Sequence, residues 1–348
     1  MLRLLVLLAG AGLVLAGAAA LGRAGDAGPV SDSVARASPN GRYLTFLRQY
    51  PSSSDRYAPT ARLALWVTGS EGGTNQVELL QPEVTSSAPR HWWTPTNLVA
   101  IPTAAGTVYR RPSDGAVVAT STTDDGSLSP DGVLSYSEEN GVLSIARADG
   151  SDRRAVAKAP GGFFGGETWS PDSSELAYTI ALRAGFALEI VNADGSDRRR
   201  LFVGVAGFPV SWSPDSRRVA FDAQLGGKLW HPAHVYVAAA NGSRPRELAG
   251  GYAGRGTHDP DWSPRGDWIA YEVSSPPSVV DIPRIALTRP DGTGTHLLLG
   301  VHATANKNPA WLDGGTTLAF TMRGTCARDG VYTIGVDGKH LRRLTNRC

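Results

Sequence analysis

Residues 169–178, Trp169-Ser170-Pro171-Asp172-Ser173-Ser174-Glu175-Leu176-Ala177-Tyr178, and 192–201, Asn192-Ala193-Asp194-Gly195-Ser196-Asp197-Arg198-Arg199-Arg200-Leu201, decide the fold. Pro171 presets φ for a turn, and the Asp172 side chain is suited to cap it. Leu176-Ala177-Tyr178 then reads as a short apolar strand. Asp194-Gly195 between apolar runs is a hairpin signal, with both turn positions expected at positive φ. A basic strand follows.

The first phrase recurs along the chain. Trp212-Ser213-Pro214-Asp215 leads to Val219-Ala220-Phe221, and Trp262-Ser263-Pro264 leads to Ile269-Ala270-Tyr271. Ser38-Pro39-Asn40-Gly41 and Ser129-Pro130-Asp131-Gly132 are weaker copies; Trp93-Thr94-Pro95 and Trp311-Leu312-Asp313-Gly314 are degenerate ones. The second phrase returns at Asn241-Gly242 and Asp337-Gly338. Anchor spacings of 56, 35, 41, 43, 50 and 49 residues, counted from Pro39 to Asp313, bracket the roughly 40–45 residues of a four-stranded propeller blade. No segment carries a sustained helical period. The expectation is an all-β propeller of four-stranded antiparallel blades, seven in number, or six if the degenerate second copy forms none. It fills residues 28–348 as a single domain behind residues 1–27.

The pattern Trp-Ser-Pro-Asp, then Leu/Val/Ile-Ala-aromatic, then Asn-Ala-Asp-Gly-Ser-Asp-x-Arg-Arg-Leu resembles the WD-repeat-like repeat of the TolB-type β-propeller family. The resemblance runs from about Ala37 to Cys348. It is specific for fold and unspecific for function. TolB itself carries an additional α/β domain ahead of its propeller, whereas the repeats here begin almost directly after residues 1–27. The repeats also resemble the propeller of prolyl-oligopeptidase-like peptidases, whose chemistry requires a hydrolase domain with a G-x-S-x-G elbow.

Bulk properties fit a turn-rich β protein. The chain has 348 residues, 41% hydrophobic and 19% charged, with 41 Gly and 23 Pro. A formal net charge of +2 gives no whole-chain footprint for nucleic acid. The arginine clusters at 153–154, 198–200, 217–218 and 342–343 recur at repeat positions and read as solvated strand ends. Met1-Leu2-Arg3 precedes an uncharged apolar run from Leu4 to Ala20, the form of an export signal, either cleaved or kept as an anchor. The protein is expected outside the cytoplasm, meeting membrane only through that segment, and as a monomer. In an oxidising compartment Cys326 and Cys348, the only cysteines, read as a disulfide tying down the last strand, the alternative being two free thiols.

In an antiparallel blade the Ser-Pro-Asp and Asp-Gly turns share one face. The longer B–C loops and D–A connections share the other, where binding residues are expected. Counting back from each anchor tryptophan gives a polar ring at the channel mouth. His258 and Lys307 stand four before theirs, Asp259, Asn308 and Arg90 three before, and Glu167 and His91 two before. Arg255 lies just upstream in one of these connections, and Trp230 is an exposed aromatic on a B–C loop. The alternative reading of this ring is plain solvation of strand entries. His231 and His234 have an H-x-x-H spacing, but Pro232 opposes a helix and no third ligand is evident, so no metal is expected. No cofactor and no catalytic residues are assigned. The leading expectation is a non-catalytic module binding a protein, peptide or cell-envelope polymer. The rival is a propeller enzyme, a polysaccharide lyase or hydrolase, using histidine at the channel mouth.

Overall fold

A computed structural model describes residues 31–50, 61–71, 76–85, 91–94, 97–103, 106–121, 127–138, 141–147, 151–159, 164–182, 185–206, 210–224, 233–248, 256–274, 283–299, 305–323 and 329–345. Among them every regular element is a β-strand except a single 3-10 turn at Asp313–Gly315. Among these described residues no helix is long and apolar enough to cross a membrane. The strands fall in consecutive antiparallel groups of four, here called blades: I (31–85), II (92–121), III (127–158), IV (164–206), V (211–247), VI (257–297) and VII (305–343), each ordered A-B-C-D.

These seven four-stranded groups make six hydrogen-bonded sheets, because IV and V fuse into one of eight strands. The join is short: Val205 and Ala206, at the end of strand D of blade IV (Arg199–Ala206), pair with Gln224 and Ala223 on strand B of blade V (Arg218–Gln224). Among the described residues blades I and VII each supply their own four strands, so none of these strands is shared across the closure of the ring.

The Ser-Pro-Asp turn folds as its chemistry requires. Ser170 Oγ donates to Asp172 Oδ1 at 2.7 Å and accepts from Glu175 N–H at 3.0 Å. Asp172 Oδ1 in turn accepts from Ser174 N–H. Ser170, Ser213 and Ser263 are fully buried, so serine serves here as a compact buried hydrogen-bonding group. The Asp-Gly turns differ from expectation. Gly195 has φ 85°, but Asp194 is not among the positive-φ residues, and Gly195 N–H donates to Asn192 C=O at 2.8 Å. That is a type I turn closed by a left-handed glycine, the three-residue hairpin form.

The core lies between blades. Leu176 and Tyr178 pack with Leu143 and Ile145 of blade III. Ala177, on the opposite face, packs with Trp212 and Phe221 of blade V. Ala220 and Ala270 stand likewise against Trp262 and Trp311. The small residue in each apolar-Ala-aromatic strand is therefore the space into which the next blade's tryptophan fits.

Hydrogen bonds repeat this stepwise linkage. Trp93, Trp169, Trp212 and Trp311 donate their indole N–H to the carbonyls of Arg36, Ser127, Thr168 and Asp261 in the preceding blade, at 2.9–3.2 Å. These contacts join strand A to strand A, which places the A strands innermost. Arg154 and Arg199 of these clusters, and Arg246 outside them, add inter-blade contacts that the reading as solvated strand ends did not include. Arg154 donates to Ala193 C=O, Arg199 to Ala240 C=O, and Arg246 to Pro290 and Asp291 C=O. Each holds the C–D turn of the following blade, and Arg342 pairs with Glu71 across the closure at 3.3 Å.

Candidate functional site

Strand A bends where the sequence placed its polar ring. The pairing register shifts between Gly165 and Thr168, between His258 and Asp261, and between Lys307 and Ala310. Inside these bulges Gly166, Asp259 and Asn308 take φ of 67°, 50° and 55°. Gly, Asp and Asn are the residues that adopt this conformation most readily. A bulge re-aims the side chains beside it, so the bulged A strands carry polar groups on the channel wall.

The structure brings His258, Asp259, Lys307 and Asn308 together and adds residues that sequence reasoning missed. His258 Nδ1 lies 3.4 Å from Asp222 Oδ2, and its imidazole folds back over Gly256, where a Cβ would stand 2.7 Å from Nε2. Asn308 N–H donates to Glu272 Oε1 at 2.6 Å. Asp261 Oδ1 accepts from Ser211 Oγ at 3.4 Å, and its Oδ2 from Trp311 N–H at 3.3 Å. Asp222 and Glu272 are 6% and 7% exposed. Both follow the Ala-aromatic pair of strand B, where blades IV and VII carry Thr179 and Thr321. An acid at that buried strand position was the available signal.

The electrostatics are those of crowded, poorly hydrated carboxylates. Burial pushes Asp259 up to about 6, assisted by the Asp222 charge and opposed by His258 and Lys307. Burial raises Glu272 to about 7, assisted by Asp259 and opposed by the Asn308 N–H, Lys307 and His258. Burial also raises Asp261 to about 6 against its two hydrogen bonds and the Arg36 charge. For His258 burial acts against the cation, but the Asp222 hydrogen bond and the charges of Asp222, Asp259 and Glu272 outweigh it, so its pKa rises. Arg36 is exposed to solvent, and its charge opposes the rise at Asp261.

Of the other expected site residues and the H-x-x-H pair, His91, Glu167 and His234 lie within the described residues. His91 is half-buried against blade I, its Nε2 3.0 Å from Thr45 Oγ1. Glu167 is half-buried in strand A of blade IV (Phe164–Trp169). His234 Nδ1 meets Glu247 Oε1 at 2.6 Å. Arg90, Arg255, Trp230, His231, Cys326 and Cys348, and residues 1–27, lie outside the described residues. No group of three or more His, Cys, Asp or Glu among the described residues is arranged to hold a metal ion.

Comparison with known proteins matches residues 125–347 to the family model described as TolB beta propeller domain. No curated protein sequence matches the chain. Among solved structures, the propeller domain of the Trilobed protease from Pyrococcus furiosus is 8% identical, with 91% of this chain and 98% of that chain covered and a TM-score of 0.59. An oligogalacturonate lyase from Vibrio parahaemolyticus is 12% identical, with 92% and 85% covered and a TM-score of 0.54. A putative TolB from Agrobacterium tumefaciens is 20% identical, with 71% and 93% covered and a TM-score of 0.49. At their identities the likeness to the first two shows the fold alone.

Proposed function

The chain belongs to the TolB β-propeller family, and from that premise we propose that it is a binding module working outside the cytoplasm. It takes a protein, peptide or envelope-polymer ligand at the channel mouth, on the face of the B–C and D–A loops. The carrying observation is the convergence of His258, Asp259, Lys307 and Asn308 with Asp222 and Glu272 on neighbouring inner strands. Bulges that turn polar groups towards a rigid scaffold's axis support recognition better than solvation of strand ends.

The test is affinity capture and crosslinking from envelope extract with the full chain and with a His258→Ala, Asp259→Ala double variant. Capture that is lost in the variant, with the melting temperature nearly unchanged, supports this reading. Equal capture by both proteins overturns it. The His258–Asp222 pair favours a second reading, an enzyme acting on polysaccharide with His258 as general acid or base. Release of new reducing ends from envelope polysaccharide, abolished by His258→Ala, would establish that instead.

A further inference from the structure

The cluster is out of balance. Among the described residues, Asp222, Asp259, Asp261 and Glu272 face two permanent cations, Lys307 and Arg36, and the titratable His258. Lys307 acts on Asp259 and Glu272 through space, with no ion pair to either among those recorded between described residues. Asp222 supplies an independent sign. Its Oδ2 faces His258, which turns the carboxyl into the cluster, while its other oxygen, Oδ1, is buried without a hydrogen-bond partner. A buried carboxylate oxygen left unpaired is costly, and a native structure that keeps one has a reason to keep it.

We infer that the wall of the channel between blades V, VI and VII is a receptor for one cationic side-chain head, an ammonium or guanidinium, presented by a basic peptide. The inference rests on the binding-module reading and names its ligand chemistry. Asp222 and Glu272 sit on B strands behind the A-strand wall, so the cation has to arrive on a long, slim apolar stem. Lysine and arginine provide that, with three or more donors at the tip. The Asp222 Oδ1 and the Asp259 carboxylate, which makes no hydrogen bond among the described residues, are acceptors for such a group. The groups facing the cation are Asp222 from blade V, His258, Asp259, Asp261 and Glu272 from blade VI, Lys307 from blade VII and Arg36 from blade I. The raised carboxyls hold protons in mild acid, so an entering cation displaces protons, and binding weakens as pH falls.

The probe is a penta-lysine peptide titrated calorimetrically into the full chain, with penta-glutamine and Ca2+ alone as controls. Near pH 8, where the carboxyls are already ionised, penta-lysine is expected to bind with little proton release; near pH 6.5 it should bind with proton release, seen as a heat that differs between buffers. Its affinity should fall at least about tenfold near pH 5.5 and in an Asp222→Asn, Glu272→Gln double variant. Lys307→Met, which removes the built-in competitor, should tighten binding. If the double variant does not fold, Asp259→Asn serves, since blade VII already carries Asn308 at that bulge. Equal affinity for penta-glutamine, an undiminished affinity in the carboxylate variants, or Ca2+ binding without penta-lysine binding overturns the inference. Envelope capture that ignores Asp222→Asn, Glu272→Gln removes this inference and leaves the binding module standing. Penta-lysine binding without any envelope capture does the reverse.

Discussion

Trp212 and Trp262 fill the same position in neighbouring blades and differ by one hydrogen bond. The Trp212 indole donates to Thr168 C=O at 3.0 Å, whereas Trp262 Nε1 is buried with no partner and its ring lies under the Arg218 guanidinium, 5.0 Å away. Replacement by phenylalanine keeps much of the packing and removes the N–H. Trp212→Phe should therefore destabilise more than Trp262→Phe, by about 1 kcal/mol, because only the former strands a carbonyl. Urea unfolding of both variants checks this, and equal losses would refute it. The prolines and glycines were legible in the sequence because each acts inside its own turn, and the tryptophans because they recur at a fixed place in the repeat. Arg154, Arg199 and Arg246 were not, since their partners are carbonyls of the following blade. Asp222 and Glu272 were missed for a related reason: only neighbouring strands show that these two acids, in otherwise apolar strands, face the same channel as His258.

The bulged A strand is the element that turns repeat sequence into a site. In blades VI and VII it holds Asp259 and Asn308 at left-handed φ with the register shifted beside them. A β-branched residue there meets its own carbonyl. Asn308→Val should cost about 1–2 kcal/mol, while Asn308→Gly should be close to neutral. Thermal melts separate the two, and a harmless Asn308→Val would mean that the bulge does not constrain the strand. Counting anchors along the chain gives the right number of four-stranded elements but not their hydrogen-bonded grouping. The fusion of IV and V depends on Val205 and Ala206 running on from one strand to the next sheet, and no repeat period encodes that continuity. The match of the family model from residue 125 onward agrees with the degeneracy of the earlier copies. Blade I keeps the architecture with Thr45 where blades IV to VII carry Ala177, Ala220, Ala270 and Ala319.

At the scale of the molecule, closure of the ring and pH response are the two properties that no single blade owns. Blades VII and I meet through Leu44 and Phe46 against Leu312, Ala319 and Leu344, through Asp313 N–H to Gly41 C=O at 3.2 Å, and through the exposed Arg342–Glu71 pair. Gly41 has φ 67°, and a Cβ there would stand 2.7 Å from Asp313 N, whereas a Cβ at Gly132, also at positive φ, would meet nothing within 4 Å. Gly41→Ala should thus lose more stability than Gly132→Ala, by the cost of forcing the closure apart; matched thermal melts decide it. The channel cluster sets the pH response with an unusual sign. Asp259 and Asp261 are raised to about 6 and Glu272 to about 7, and His258 is raised too. The native state therefore binds more protons than the unfolded chain, whose carboxyls titrate near 4. Stability contributed by the three carboxyls is present in mild acid and falls as pH rises through about 4 to 7, and that of His258 is lost as pH rises through its own raised value. The depressed carboxyls Asp215 and Glu189 act oppositely, losing their contribution as pH falls through their own lowered values, below that window. Glu272→Gln keeps an oxygen for the Asn308 N–H and cannot ionise. Its melting temperature should match the parent near pH 4 and exceed it by a few degrees near pH 8. A variant that is less stable than the parent at pH 8 would show that Glu272 is held as a favourable carboxylate, and the raised-acid account of the channel would fall with it.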